Sequence, residues 1–236
     1  MNVVVAPCSH DAAKYAVLNW HYSQRMPKSK LVKFGVWEDT KFVGAVIYGS
    51  GANGGLFAPY GLEQTQGCEL VRVAMRKHSV FVTQVIAESI NQLKKSQSSL
   101  RLLISFADPD QGHEGKIYQA GNWIYAGMTD VADEYIVNGI RTHGRALRST
   151  RSGHKQKNVP AKNVEDWARK VLDPNIRRVS GSSKHRYLYP LDKAMRRQIL
   201  KMGLGCKNAV EGLEASRLDS VEEVLVQSQP TARGEV

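Results

Sequence analysis

Apolar residues recur along the chain at two spacings. Ala13, Ala16, Val17 and Trp20 fall near a 3.6-residue period, which predicts a short helix over Asp11–Trp20 capped by Ser9 or Asp11. Two strand-like runs follow, Leu31–Trp37 and Phe42–Tyr48, with Glu38–Lys41 as the hairpin turn between them. Glu69–Met75 reads as a further strand. Val82, Val85, Ile86, Ile90 and Leu93 share one face of a helix over Thr83–Lys95. Leu100–Phe106 is a buried strand that ends in the turn-rich Ala107–Gly112. Lys116–Gly121 predicts a short helix and Trp123–Gly127 a strand. Asn138-Gly139 is a tight turn between Glu134–Val137 and a strand from Ile140. This order predicts an α+β fold with a mixed sheet and one strand–helix–strand crossover.

After Arg148 the pattern fades. Ser149–Lys162 is polar and basic, Val164–Leu172 a short helix, and Arg177–Arg186 basic and serine-rich. Leu191–Met202 reads as a basic helix, started by Asp192 and stopped by Gly203. The remainder is polar, with a weak helical pattern at Leu218–Val226. The expected organisation is a folded domain over 1–150, a basic extension over 151–203 and a polar, flexible tail over 204–236.

Charge sharpens this picture. The net charge is +11, and its distribution is uneven: Arg141–Lys201 holds 17 Lys/Arg against 4 Asp/Glu, and the rest of the chain holds 16 against 18. A solvated face normally mixes its signs, so this stretch implies a polyanion, with nucleic acid ahead of a membrane surface. Arg141, Arg145 and Arg148 read as a strand exit. Arg177-Arg178, Lys184-His185-Arg186 and Arg196-Arg197 add clusters, with Tyr187 and Tyr189 among them, in the manner of a phosphate-tracking surface. At 42% hydrophobic the chain is globular rather than disordered, and no apolar run approaches the ~20 residues of a membrane span. Met1–Pro7 lacks the basic start of a secretory signal. Cys8, Cys68 and Cys206 are scattered and odd in number, which predicts free thiols in a reducing cytoplasm.

Several residue types suggest chemistry. His21 and Tyr22 follow a helix end and can share a cleft, the imidazole as base or metal ligand and the phenol as proton donor. Asp108 lies just past the C-terminal end of a buried strand, where open α/β sheets hold ligands, and Ser105 precedes it on that strand. Glu69 and Arg72, three apart on one strand, are expected on opposite faces. Asp110, His113 and Glu114 read as a solvated loop. Gly49–Gly61, with five glycines, reads as a lid whose Phe57 and Tyr60 stack on a flipped base.

Tyr118-Gln119-Ala120-Gly121-Asn122-Trp123 resembles the second half of the GNAT acetyltransferase fold, where a Tyr-bearing helix ends at a glycine and an aromatic residue begins the next strand. Taken with His21-Tyr22-Ser23, Glu69–Ala74 and Leu103–Asp108 in this order and spacing, residues 10–150 resemble the phage Mom family. Those are GNAT-like enzymes that convert adenine in phage DNA to an N6-carbamoylmethyl form and so protect it from restriction. The resemblance implies a GNAT-like mixed sheet flanked by helices, with the basic stretch as a C-terminal extension. It implies a transferase with His21, Tyr22, Asp108, Tyr118 and Ser105 as the catalytic set and Glu69, Arg72, Phe57 and Tyr60 at the substrate. Tyr118 would protonate the leaving group. Asp108 and His21 would activate or position the adenine amine, or hold a divalent metal such as iron. The basic residues would grip double-stranded DNA in the cytoplasm of a phage-infected or prophage-carrying bacterial host, with no membrane involved. One departure concerns the donor. Acetyltransferases of the superfamily seat the coenzyme A pyrophosphate on a glycine-rich loop, and Met75–Val82 has no glycine. The donor therefore stays open between an aminoacyl-tRNA such as glycyl-tRNA and acetyl-coenzyme A. The rival readings are a conventional N-acetyltransferase of proteins or small amines, and a non-catalytic nucleic-acid-binding module. Basic residues do not separate DNA from RNA.

Overall fold

The computed structural model describes residues 2–51 and 54–204. The expected tail beyond Leu204 and the pattern at Leu218–Val226 lie outside the described residues. The chain opens with β1 (Val3–Pro7), α1 (His10–Trp20) and the hairpin β2 (Leu31–Glu38)–β3 (Lys41–Gly49). It continues through β4 (Gly67–Met75), α2 (Val82–Ser96), β5 (Leu102–Ala107), α3 (Lys116–Ala120) and β6 (Ile124–Met128). A second group follows: β7 (Asp133–Val137), β8 (Ile140–His143), α4 (Gly144–Gly153), α5 (Val164–Val171) and β9 (Arg177–Ser180). The chain then returns through β10 (His185–Pro190) and α6 (Lys193–Lys201).

Seven strands form one mixed sheet in the order β1-β2-β3-β4-β5-β10-β6. Every neighbouring pair is antiparallel except β4–β5, which α2 links as a crossover. This is the α+β fold expected. Alternation along the strands divides the core. Val46, Tyr48, Leu70 and Leu103 face α2 and α3, while Ala45 and Ile47 face α1, and Leu102 and Ile104 face Met195 and Ile199 of α6. Local sequence sets the helix ends: the Ser9 side chain accepts the Ala12 N–H, and Asp192 accepts that of Met195.

The expected boundary at 150 does not divide the fold. β10 enters the sheet between β5 and β6, pairing Tyr187 with Ser105 and Leu188 with Ile124. Residues 129–184 are thus an insertion between two sheet strands, not the start of an appended arm. The insertion has its own three-stranded sheet, β8-β7-β9, and its own core of Tyr135, Leu147, Trp167, Ala168 and Ile176. Trp167 is fully buried and its indole N–H donates to the Gln156 carbonyl at 3.0 Å. Truncating such a side chain costs about 3–5 kcal/mol, so this small unit holds together through one residue to a large extent.

Candidate active-site cleft

The parallel strands β4 and β5 pair only over Gly67–Glu69 and Leu102–Ile104. Beyond that point they part, and a cleft of about 910 Å³ opens at their C-terminal ends. Its walls are Glu69–Val73 of β4, Phe106–Asp108 at the end of β5, the 112–118 segment, and His21 and Tyr22 after α1. The insertion supplies a cationic rim through Arg145 and Arg148, and β10 with its approach adds Lys184 and Arg186.

Glu69 and Arg72 share one face, contrary to the expectation from their odd spacing. A bulge is the reason: Tyr48 pairs with Leu70 and Ile47 with Arg72, so Val71 is the extra residue. Both side chains line the cleft. Arg72 donates through Nη1 to the Val71 carbonyl at 2.6 Å and through Nη2 to that of Arg25 at 3.5 Å. Its Nε is buried with no hydrogen-bond partner among the described residues. Burial pulls the Arg72 pKa down, while Tyr22 and Glu69 push it up. A guanidinium stays charged throughout, so Arg72 offers the cleft a cation with a donor in hand.

Tyr118 and Ser105 are brought together as expected. The Tyr118 hydroxyl lies 2.8 Å from Ser105 Oγ, and Ser105 Oγ donates to the Leu70 carbonyl at 3.0 Å. With the serine proton on Leu70, the phenol donates to the serine. The result is a buried relay from α3 through β5 to β4. Burial raises the phenol to about 12, so it carries its proton at neutral pH. Gly115 makes this placement possible. It adopts φ 79° at the start of α3, and a Cβ there would lie 2.3 Å from the Tyr187 ring.

His21 takes a different part from the base expected of it. Its Nδ1 accepts the Ser23 N–H at 3.1 Å and sits 2.9 Å from Ser23 Oγ. A backbone N–H can only donate, so in the neutral ring the proton is on Nε2. Burial, then the charges of Arg72 and His113, pulls the imidazole down to about 4. At neutral pH His21 is an uncharged hydrogen-bond donor. Its ring stacks on Tyr22 at 4.3 Å, and Tyr22 on His113 at 5.3 Å. His113 is exposed on its loop, as read from the sequence, and at the same time stands in the cleft wall. Only the fold reveals this, because nothing local pairs residues 22 and 113.

Asp108 lines the cleft, but its carboxylate is engaged. Oδ2 pairs with Lys184 at 2.8 Å, and Oδ1 accepts the Asp110 N–H at 3.2 Å and the Ser182 hydroxyl at 3.4 Å. It ties the end of β5 to the segment that re-enters the sheet. The expected His21–Asp108 metal site does not fit these residues: Nδ1 is taken by Ser23, Asp108 by Lys184, and among the described residues no three His, Cys, Asp or Glu converge.

Phe57 and Tyr60 do not reach the cleft. Both are buried, with Leu62, Leu102, Ile104, Met195 and Ile199, beneath α6. Phe57 fills the space beside Gly67, where a Cβ would lie 2.1 Å from the ring. The expected base-stacking role is withdrawn for both. Of the basic residues, Arg145 and Arg148 sit on helix α4, not on a strand exit. Arg141 pairs with Glu134 and Arg178 with Asp133. Arg177, Arg196 and Arg197 are exposed but outside the cleft lining. Arg186 lines the cleft, with Nε buried and without a hydrogen-bond partner among the described residues.

The β4–α2 turn repeats the departure seen in the sequence and adds to it. The Ser79 and Val80 N–H groups donate to Glu38 Oε1 at 2.7 and 2.8 Å. A diphosphate seated on these amides would have to displace that carboxylate. Among the described residues no helix is long and apolar enough to cross a membrane.

Comparison with known proteins places the chain. Solved structures similar to it include the spermidine/spermine N-acetyltransferase SpeG from Vibrio cholerae, at 8% identity and a TM-score of 0.42 over 83% of this chain and 96% of that one. An N-acetyltransferase from Staphylococcus aureus matches at 12% identity and 0.45, over 81% and 99%. A GNAT family acetyltransferase from Elizabethkingia anophelis matches at 8% and 0.38, over 80% and 99%. No curated protein matches the sequence significantly. The model of the Mom protein family matches residues 2–204, which takes in every described residue and more than the stretch that carried the resemblance, and the chain belongs to that family.

Proposed function

We propose that this protein transfers an acyl- or carbamoylmethyl-type group to the N6 amino group of adenine in phage DNA, protecting the DNA from restriction. The observation that carries the reading is the cleft itself: neutral and charged donors line its inner wall and arginines line its rim. A volume of about 910 Å³ suits a nucleotide-sized ligand. Adenine N6 lies within the duplex stack, so the base is extruded into the cleft before reaction.

The chemistry assigns each side chain a task. The N6 lone pair is delocalised into the ring, so its proton leaves as the new N–C bond forms. Glu69 is the wall carboxylate that accepts it. Charge building on the donor's carbonyl oxygen is met by the His21 Nε2–H and the Arg72 guanidinium. Tyr118 gives its proton to the departing group, and once the product has left, the proton taken up by Glu69, which lines the same cleft, restores the phenol and closes the balance. A thioester and an aminoacyl ester present the same electrophile, a carbonyl with a leaving group that needs a proton, and attack on either gives the N6-acyl form. Plasmid isolated from expressing cells should resist restriction enzymes whose sites contain adenine. Plasmid from cells expressing Tyr118→Phe should be cut. Equal cutting of plasmid from wild-type and empty-vector cells would refute the reading.

A further inference from the structure

The cleft does not end at its rim. A second depression lies beside α4, lined by Tyr135, Arg148, Arg151, Asn163 and Glu165 among others, and Arg148 and Asp133 line both. Arg145, Arg148 and Arg151 stand three apart on α4. Three residues turn 300°, so such a row drifts by about 60° per step around the axis. That drift carries the row from one depression to the next: Arg145 lines the cleft only, Arg148 both, and Arg151 the second only.

The charges of Arg148 and Arg151 are not cancelled by ion pairs among the described residues. The two carboxylates of the second depression have other partners, Asp133 with Arg178 and Glu165 with Arg169 at 2.8 Å. Arg151 is nonetheless held in place. It lies over the Trp167 ring at 6.0 Å and donates to the carbonyls of Lys157 and Asn163 at 3.4 and 3.5 Å. From Arg145 to Arg151 the axis rises about 9 Å, against about 7 Å of duplex axis for the two steps, ~3.4 Å each, that separate three consecutive phosphates of one B-form strand.

We propose that this face of α4 is a track for the DNA backbone, gripping consecutive phosphates of the strand whose target base enters the cleft. The assignment rests on the adenine-modification reading for its occupant, and on the continuity of the two depressions for its path.

The test is equilibrium binding of an unmodified 20-base-pair DNA duplex across a salt series, with no donor present. Each phosphate contact contributes about 0.9 to the slope of log K against log salt. Arg145→Gln with Arg148→Gln, both at exposed positions, should flatten the slope by about 2. Lys94→Gln with Lys95→Gln, equally exposed on α2, should leave it unchanged. Arg151→Gln added to the first pair should flatten it further, with a thermal melt to check that the insertion stays folded. An unchanged slope in the α4 double variant overturns the track. A slope that flattens for single-stranded RNA but not for duplex DNA overturns its occupant. Because no group transfer is measured, failure of the modification reading leaves this result legible, and the reverse also holds.

Discussion

The buried relay between Tyr118, Ser105 and the Leu70 carbonyl makes an asymmetric prediction about stability. Ser105 is fully buried and serves two partners, Tyr118 at 2.8 Å and Leu70 at 3.0 Å. Ser105→Ala strands both the phenol hydroxyl and the Leu70 carbonyl. Each buried polar group left unsatisfied costs about 1–3 kcal/mol. Tyr118→Phe strands neither, because Ser105 still donates to Leu70, so it loses one hydrogen bond worth about 0.5–1.5 kcal/mol. For a chain of this size each kcal/mol moves Tm by roughly 2–4 °C. Ser105→Ala should therefore lower Tm by about 4–24 °C, and Tyr118→Phe by about 1–6 °C, with the serine change the costlier of the two. The double variant strands only the Leu70 carbonyl. Its cost should fall below the sum of the singles by at least about 0.5 kcal/mol, the signature of a coupled pair. Calorimetry on the four proteins decides the matter. If Tyr118→Phe is the costlier single change, or if the costs add, the relay is not the arrangement that holds the phenol.

Three more outcomes follow from particular contacts. Gly115→Ala puts a Cβ at positive φ and 2.3 Å from the Tyr187 ring, and should cost at least about 1 kcal/mol by denaturant melt; an unchanged midpoint would contradict the packing. Glu38→Ala removes both charged acceptor bonds of the β4–α2 turn, and hydrogen exchange at the Ser79 and Val80 amides should accelerate; retained protection would show that the carboxylate does not hold the turn. His21 titrates near 6.5 when unfolded and near 4 when folded, so the unfolded chain binds more protons between these values. The stability from its neutral form is fully present above about pH 6.5 and is lost as pH falls toward 4, so His21→Gln should flatten the decline of Tm between pH 7 and pH 5.

Much of the sheet was legible from periodicity alone. The first helix, the β2–β3 hairpin, β4, α2 and β5 carry their burial in their own spacing. β10 does not. His185–Pro190 alternates charged, aromatic and apolar residues because Tyr187 and Tyr189 face the core around Tyr118 and Trp123, while on the other face Arg186 lines the cleft and Leu188 packs under α6. Its partners β5 and β6 lie some 60 to 80 residues away. The core of the insertion is equally hidden, since Leu147, Trp167 and Ile176 are dispersed among arginines and lysines. Helix α4 was missed because its cap is His143, whose Nδ1 accepts the Arg145 N–H, and because its arginines suit a strand exit as well as a helix. In the cleft, residue types were readable but directions were not. The bulge at Val71 turns Arg72 to the side of Glu69, and the Ser23 N–H decides which nitrogen of His21 faces outward with its proton. Glycines near Phe57 suggested an open loop, whereas the ring fills the hollow that Gly67 leaves.

Mass spectrometry of nucleosides from the DNA of cells expressing this protein reads adenine modification itself. The wild type should yield a deoxyadenosine enlarged at N6, and Tyr118→Phe should yield none. An adenine pool that stays wholly unmodified in the presence of the folded wild-type protein would contradict the adenine-modification reading.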